Sequence, residues 1–139
     1  MIDFDECVRE GYLRKIPPSV KQAEDQLKKS EMLLEEAKKS IGIKAPNTAV
    51  IAAYTAVLDA ARAVLFRDGY REKSHMCVVK YLEAKYSAKL GTSAIILFDQ
   101  YRDKRHKTMY SGDYYPTMEE AERMVKFAEE FIQKIKKLF

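Results

Sequence analysis

Between Pro46 and Gly69 the chain has no polar side. The stretch PNTAVIAAYTAVLDAARAVLFRDG puts Val50, Tyr54, Val57, Ala61 and Val64 on one stripe at helical spacing, with Ile51, Leu58 and Leu65 along its flank. Its many alanines (Ala49, Ala52, Ala53, Ala56, Ala60, Ala61 and Ala63) leave room for neighbouring helices to approach closely. A helix apolar on more than one side must be enclosed by others. This segment is therefore expected at the centre of the fold, with Gly69 ending it.

The remaining segments read as its enclosure. Residues 20–41 carry Val20, Ala23, Leu27, Leu34, Ala37 and Ile41 on steps of three, four or seven, with Gly42 as the stop. Ser74 can cap a helix over residues 75–87 with Met76, Val79, Leu82 and Tyr86 inward, and Gly91 breaks the chain after it. A further helix starts near Thr92 and runs into the basic segment YRDKRHKTMY. Thr117 and Glu120 form a capping-box pattern that opens a last helix with Ala121, Met124, Ala128, Phe131, Ile135 and Leu138 at helical spacing. Residues 4–15 read as a short amphipathic helix stopped by Pro17 and Pro18. No segment alternates with period two between turns, so strands are not expected. The short connections favour antiparallel neighbours. The expected fold is all-α, an up-and-down antiparallel bundle of about five helices in a single domain over residues 1–139.

Composition agrees and narrows the function classes. Only five glycines and four prolines interrupt 139 residues, 47% of which are hydrophobic and 33% charged. A net charge of +4 tolerates an anionic partner but is far from the loading of a dedicated nucleic-acid binder. Uninterrupted apolar runs such as residues 94–98 fall well short of the roughly 20 residues of a membrane helix, and no membrane association is expected. Cys7 and Cys77 are too few for a disulfide framework, and the acidic start MIDFDECVRE has no apolar signal region. These features point to a reducing, cytoplasmic setting.

Chemistry concentrates in YRDKRHKTMYSGDYY, residues 101–115. On a helix, Arg102, His106 and Tyr110 stand one above another at four-residue steps, with side-chain roots about 6 Å apart. Asp99 can steady Arg102 and Asp103 can steady Lys107, whereas Arg105 projects about 100° away from His106. Arginine clamps a phosphate and stabilises added negative charge, and histidine accepts a hydroxyl proton near neutral pH. From the residues alone, a solvated helix end with intrahelical ion pairs explains the segment at least as well. Tyr101, Tyr110, Tyr114 and Tyr115 are of the type that stacks on bases, although structural packing accounts for them more often. His75 and Cys77, two apart on a helix, face different sides and suggest no metal site. Cys77 reads as core, and His75 as a first-turn surface or capping residue. Neither G-x-G-x-x-G nor G-x-x-x-x-G-K occurs, and no cofactor is expected.

The order of AVIAAYTAVLDAARAVLFRDGY, KSHMCVVKYL, and YRDKRHKTMYSGDYYP followed by an amphipathic helix resembles the HEPN domain family (higher eukaryotes and prokaryotes nucleotide-binding), in its small stand-alone branch, from about residue 20 onward. The resemblance implies an all-α bundle that commonly forms homodimers, with the Arg–His segment helping to line a cleft at the interface. Many such proteins are metal-independent ribonucleases, often toxins paired with a minimal nucleotidyltransferase antitoxin. Others bind RNA, nucleotides or a protein partner without catalysis. The family signature is arginine, a polar residue, then histidine after four to six positions; Arg102 and Asp103 match, and His106 follows Arg102 after three. On this likeness the catalytic pair would be Arg102 and His106. Arg105, Asp103, Tyr110 and His75 would contact the substrate, His75 because a histidine recurs there beside the cleft. The expectation is a protein that binds RNA or a nucleotide at this cleft, as a ribonuclease of a toxin–antitoxin pair or as a non-catalytic module for a nucleotidyltransferase-like partner.

Overall fold

A computed structural model describes residues 2–139. Six helices and one pair of short strands follow in the order α1 (Phe4–Arg9), β1 (Leu13–Lys15), α2 (Val20–Gly42), α3 (Pro46–Asp68), β2 (Tyr70–Glu72), α4 (His75–Leu90), α5 (Thr92–Tyr110) and α6 (Met118–Lys136). The all-α reading holds. The apolar helix α3 is the axis of the bundle, packed against α2, α4, α5 and α6. Val50, Ala53, Ala56, Ala60, Ala61, Ala63, Val64 and Leu65 are all fully buried along it. By length and hydropathy α3 also qualifies as a membrane span, although polar residues break it into short apolar runs; 78% of that window is buried inside the protein.

Helices α2 and α6 each present a single apolar face. On α2, Ala23, Leu34 and Ala37 are buried, while Val20 at the helix start stays 60% exposed. On α6, Met124, Phe127, Ala128, Phe131 and Ile135 meet the core. The capping box forms as expected: Thr117 Oγ1 accepts from the Glu120 amide at 3.1 Å, and a Glu120 carboxylate oxygen accepts from the Thr117 amide at 3.1 Å. Lys104 on α5 donates to the same carboxylate at 2.8 Å, so this cap also docks α5 onto α6. The lysine and the Thr117 amide hold the Glu120 carboxyl down to about 2. Its contribution to stability is thus complete above the ordinary carboxylate value and is lost as pH falls toward 2. Thr117→Ala is expected to cost about 1 kcal/mol, read as a drop of a few degrees in the thermal midpoint.

Two expectations for the N-terminal segment are corrected. The helix stops at Arg9, because Gly11 turns the chain with φ of 77°. Residues 13–15 are then a strand, paired antiparallel with β2 in the register Leu13↔Glu72, Arg14↔Arg71, Lys15↔Tyr70. Each strand has three residues, too few to show alternation. The turn from α3 into β2 needs Gly69: its φ is 94°, and a side-chain carbon there would lie 2.9 Å from the Ile16 carbonyl oxygen. Strand pairing brings α1 onto α4, where Cys7 and Cys77 form a disulfide with Cα atoms 5.8 Å apart across 70 residues of sequence. Two cysteines are too few for a disulfide framework, and Cys77 alone reads as core, so this single bridge corrects that expectation. The oxidised protein should titrate no free thiol until it is reduced.

Candidate functional site

The site lies where α3, α4 and α5 meet. Two charged residues interrupt the apolar surface of α3 before its last turn, Asp59 and Arg62, and their partner comes from β2. Arg62 Nε donates to Glu72 at 2.7 Å and its terminal nitrogen to Asp59 at 3.2 Å. Both carboxylates are deeply buried, with 6% and 5% of their side chains exposed. Burial pushes the Asp59 carboxyl up, against the pull of Arg62. The strand that the sequence did not reveal therefore has a purpose at the site: it carries Glu72 to the guanidinium, three residues ahead of His75.

His75 opens α4. Ser74 occupies the N-cap position as expected, although its hydroxyl makes no capping bond. The imidazole is half-buried rather than a surface cap. Its Nδ1 is 3.3 Å from the hydroxyl of Tyr54, a residue on α3 that is only 1% exposed. Burial, then the charges of Arg62 and Arg105, lower the affinity of His75 for a proton, with Glu72 opposing and Arg102 adding to the effect. Tyr54 is pushed well above the usual phenol range by burial, against the pull of Arg102, Arg105 and Arg62.

Helix α5 supplies the other wall, and its face divides. Arg102 is held by Asp99 at 2.9 Å, the pair expected from their spacing. The Arg105 guanidinium lies over the Tyr54 ring, 5.7 Å from its centre. Arg105 has no ion pair among the described residues, and its Nε is buried without a hydrogen-bond partner. His106 takes no part in that packing: it is exposed, and its ring packs on Tyr110, centroids 4.8 Å apart. Asp103 pairs with Lys107 at 3.1 Å on the solvent side. Of the four tyrosines, Tyr101 packs on Phe127 and Tyr114 donates to Glu120. Tyr110 and Tyr115 remain 65% and 72% exposed.

The sequence-predicted residues thus form two groups on one helix. Arg102 and Arg105 act on His75 and Tyr54, and His106 with Tyr110 forms an exposed ledge one turn on. Tyr54, Arg62 and Glu72 were missed as site residues. A usable signal existed for Arg62, since a buried helix with a charge in its middle must hold a partner for it. None existed for Tyr54, whose position on an apolar stripe reads as core. Chemically, the inner group offers one guanidinium without a counter-ion beside a histidine disposed to stay neutral. A family model described as HEPN domain matches residues 23–138. No curated protein matches the chain.

Proposed function

The chain belongs to the HEPN family, and on that premise we propose that it binds RNA or a nucleotide along α5, with Arg105 taking a phosphate group and the His106–Tyr110 ledge supporting a base. One observation carries the reading. Arg105 is a half-buried guanidinium with no carboxylate partner among the described residues, whereas Arg62 and Arg102 both have theirs. An unpaired charge in such a place is unfavourable until an anion arrives. Exposed aromatic rings beside a cationic site suit a single-stranded ligand. Fluorescence anisotropy with a labelled single-stranded RNA, repeated with AMP as competitor and at rising salt, tests it. Binding that weakens linearly in log–log salt supports the reading. Absence of binding to both at low salt sinks it.

The finer form is cleavage of RNA without metal. Here His106, exposed and steadied by Tyr110, would accept the ribose 2′ proton while Arg102 stabilises charge on the phosphate. RNA incubated with the protein in EDTA separates cutting from binding. Products that vanish in both His106→Ala and Arg102→Ala support the enzyme; RNA left intact by the wild type makes the protein a binder. A second reading rests on α5 as well, which exposes Ile96, Leu97 and Met109 besides Tyr110. These apolar side chains suit a protein interface, either of a homodimer or with a nucleotidyltransferase-like partner. Sedimentation and co-purification are its tests.

A further inference from the structure

Tyr54 has a proton to place. Its ring is 1% exposed, and His75 Nδ1, at 3.3 Å, is its hydrogen-bond partner. A buried hydroxyl keeps its proton and gives it to an acceptor, and Nδ1 is the acceptor in reach. A neutral imidazole that accepts at Nδ1 carries its own proton on Nε2. His75 is therefore a donor toward anything that approaches Nε2, in a neighbourhood already rich in cations. Arg62, on α3, is held by Asp59 and by Glu72 from β2, and Arg102 on α5 is held by Asp99. Arg105 alone among these three keeps an unused Nε–H, and its guanidinium lies against the same Tyr54 ring that His75 contacts. Arg105 and the His75 imidazole thus contact one aromatic ring, and the charge left uncompensated there is positive.

We propose that His75 and Arg105 form the seat for a phosphate group, with Tyr54 fixing the imidazole in the tautomer whose Nε2–H donates to a phosphate oxygen. The assignment rests on the RNA or nucleotide reading above for the source of that phosphate and adds His75, across the α3–α4–α5 junction, to the Arg105 seat. His75 is then a binding residue that donates a hydrogen bond, and it leaves the ribose proton alone. Tyr54 acts through it as a positioning residue.

The protein's two histidines make the test direct, because long-range proton–nitrogen NMR of the intact chain resolves two imidazoles. In the free protein His75 should show a protonated Nε2 and a bare Nδ1, and Tyr54→Phe should let the two tautomers mix. Inorganic phosphate, AMP and a short single-stranded RNA are then added in separate titrations. Each should shift the His75 Nε2 signal, and His75→Ala should weaken binding roughly tenfold or more, with partial rescue by His75→Gln, which keeps a side-chain N–H donor. RNA that binds the wild type while the His75 signals stay fixed overturns the seat and leaves the RNA reading standing. Phosphate that shifts His75 while RNA and AMP fail to bind supports the seat and overturns the RNA reading. Failure of all three ligands overturns both. A His75 found protonated at Nδ1 in the free wild type also overturns the seat, without any variant having to fold.

Discussion

Arg105→Ala should weaken RNA or nucleotide binding by a factor of roughly 10 to 100, the range for losing hydrogen bonds to a charged group. The same substitution should leave the unliganded protein as stable as before, or slightly more so. Among the described residues its guanidinium has no carboxylate partner and its buried Nε has no acceptor. Truncation therefore removes a desolvated charge and orphans no other group. The salt dependence of binding should also become shallower by about one unit in log–log slope. Arg105→Lys keeps the charge but loses the planar fork that lies over Tyr54, and should restore the salt slope better than the affinity. A loss of affinity matched by a loss of thermal stability would instead make Arg105 a structural residue.

Arg62→Ala carries the largest expected effect on stability. It strands Asp59 and Glu72, whose carboxylates are almost wholly buried, and breaking such a cluster from one side costs about 3 kcal/mol. For a domain of this size that corresponds to a thermal midpoint lower by roughly 10 °C. The loss should depend on pH in a definite direction. Burial already raises the Asp59 carboxyl against the pull of Arg62, and without the guanidinium it rises further. A group whose folded value is raised favours the folded state below its unfolded value, and that stabilisation is lost as pH rises through the folded value. The deficit of the variant should accordingly be greatest near neutral pH and shrink on acidification. Chemical denaturation at pH 7 and pH 4 measures it, and equal deficits at both would refute the buried carboxylate cluster. Removing Arg62 also takes one cation away from His75, whose proton affinity it helps to lower, so the imidazole should titrate at higher pH in this variant.

The contrast between these two arginines explains how much of the molecule could be read from its residues. The apolar girth of α3, the capping box at Thr117 and the run of α5 through Tyr110 are local patterns, and each appears in the structure where expected. The pairings Asp99–Arg102 and Asp103–Lys107 follow from helical spacing in the same way. What escaped is non-local. Nothing near Leu13 announces Glu72 as its strand neighbour, and nothing near Cys7 announces Cys77. The link from Tyr54 to His75 spans 21 residues and two helices. Sequence reasoning accordingly favoured the histidine that has an arginine four residues before it. The histidine that has three arginines acting on it in space is the other one, His75.

The apolar circumference of α3 has a consequence for the chain while it is being made. Two of the helices that cover α3, α4 and α5, emerge after it, and α6, which packs along it, emerges later still. Until then a nascent chain presents a 23-residue helix, covered on the α2 side alone, that meets the length and hydropathy of a bilayer span. Helix α2 precedes it and packs along one side, and the rest of its enclosure comes from residues translated after it. Truncation before α6 should therefore yield a product retained by chaperones or lipid, even though every residue of the Arg105–His75 seat is still present.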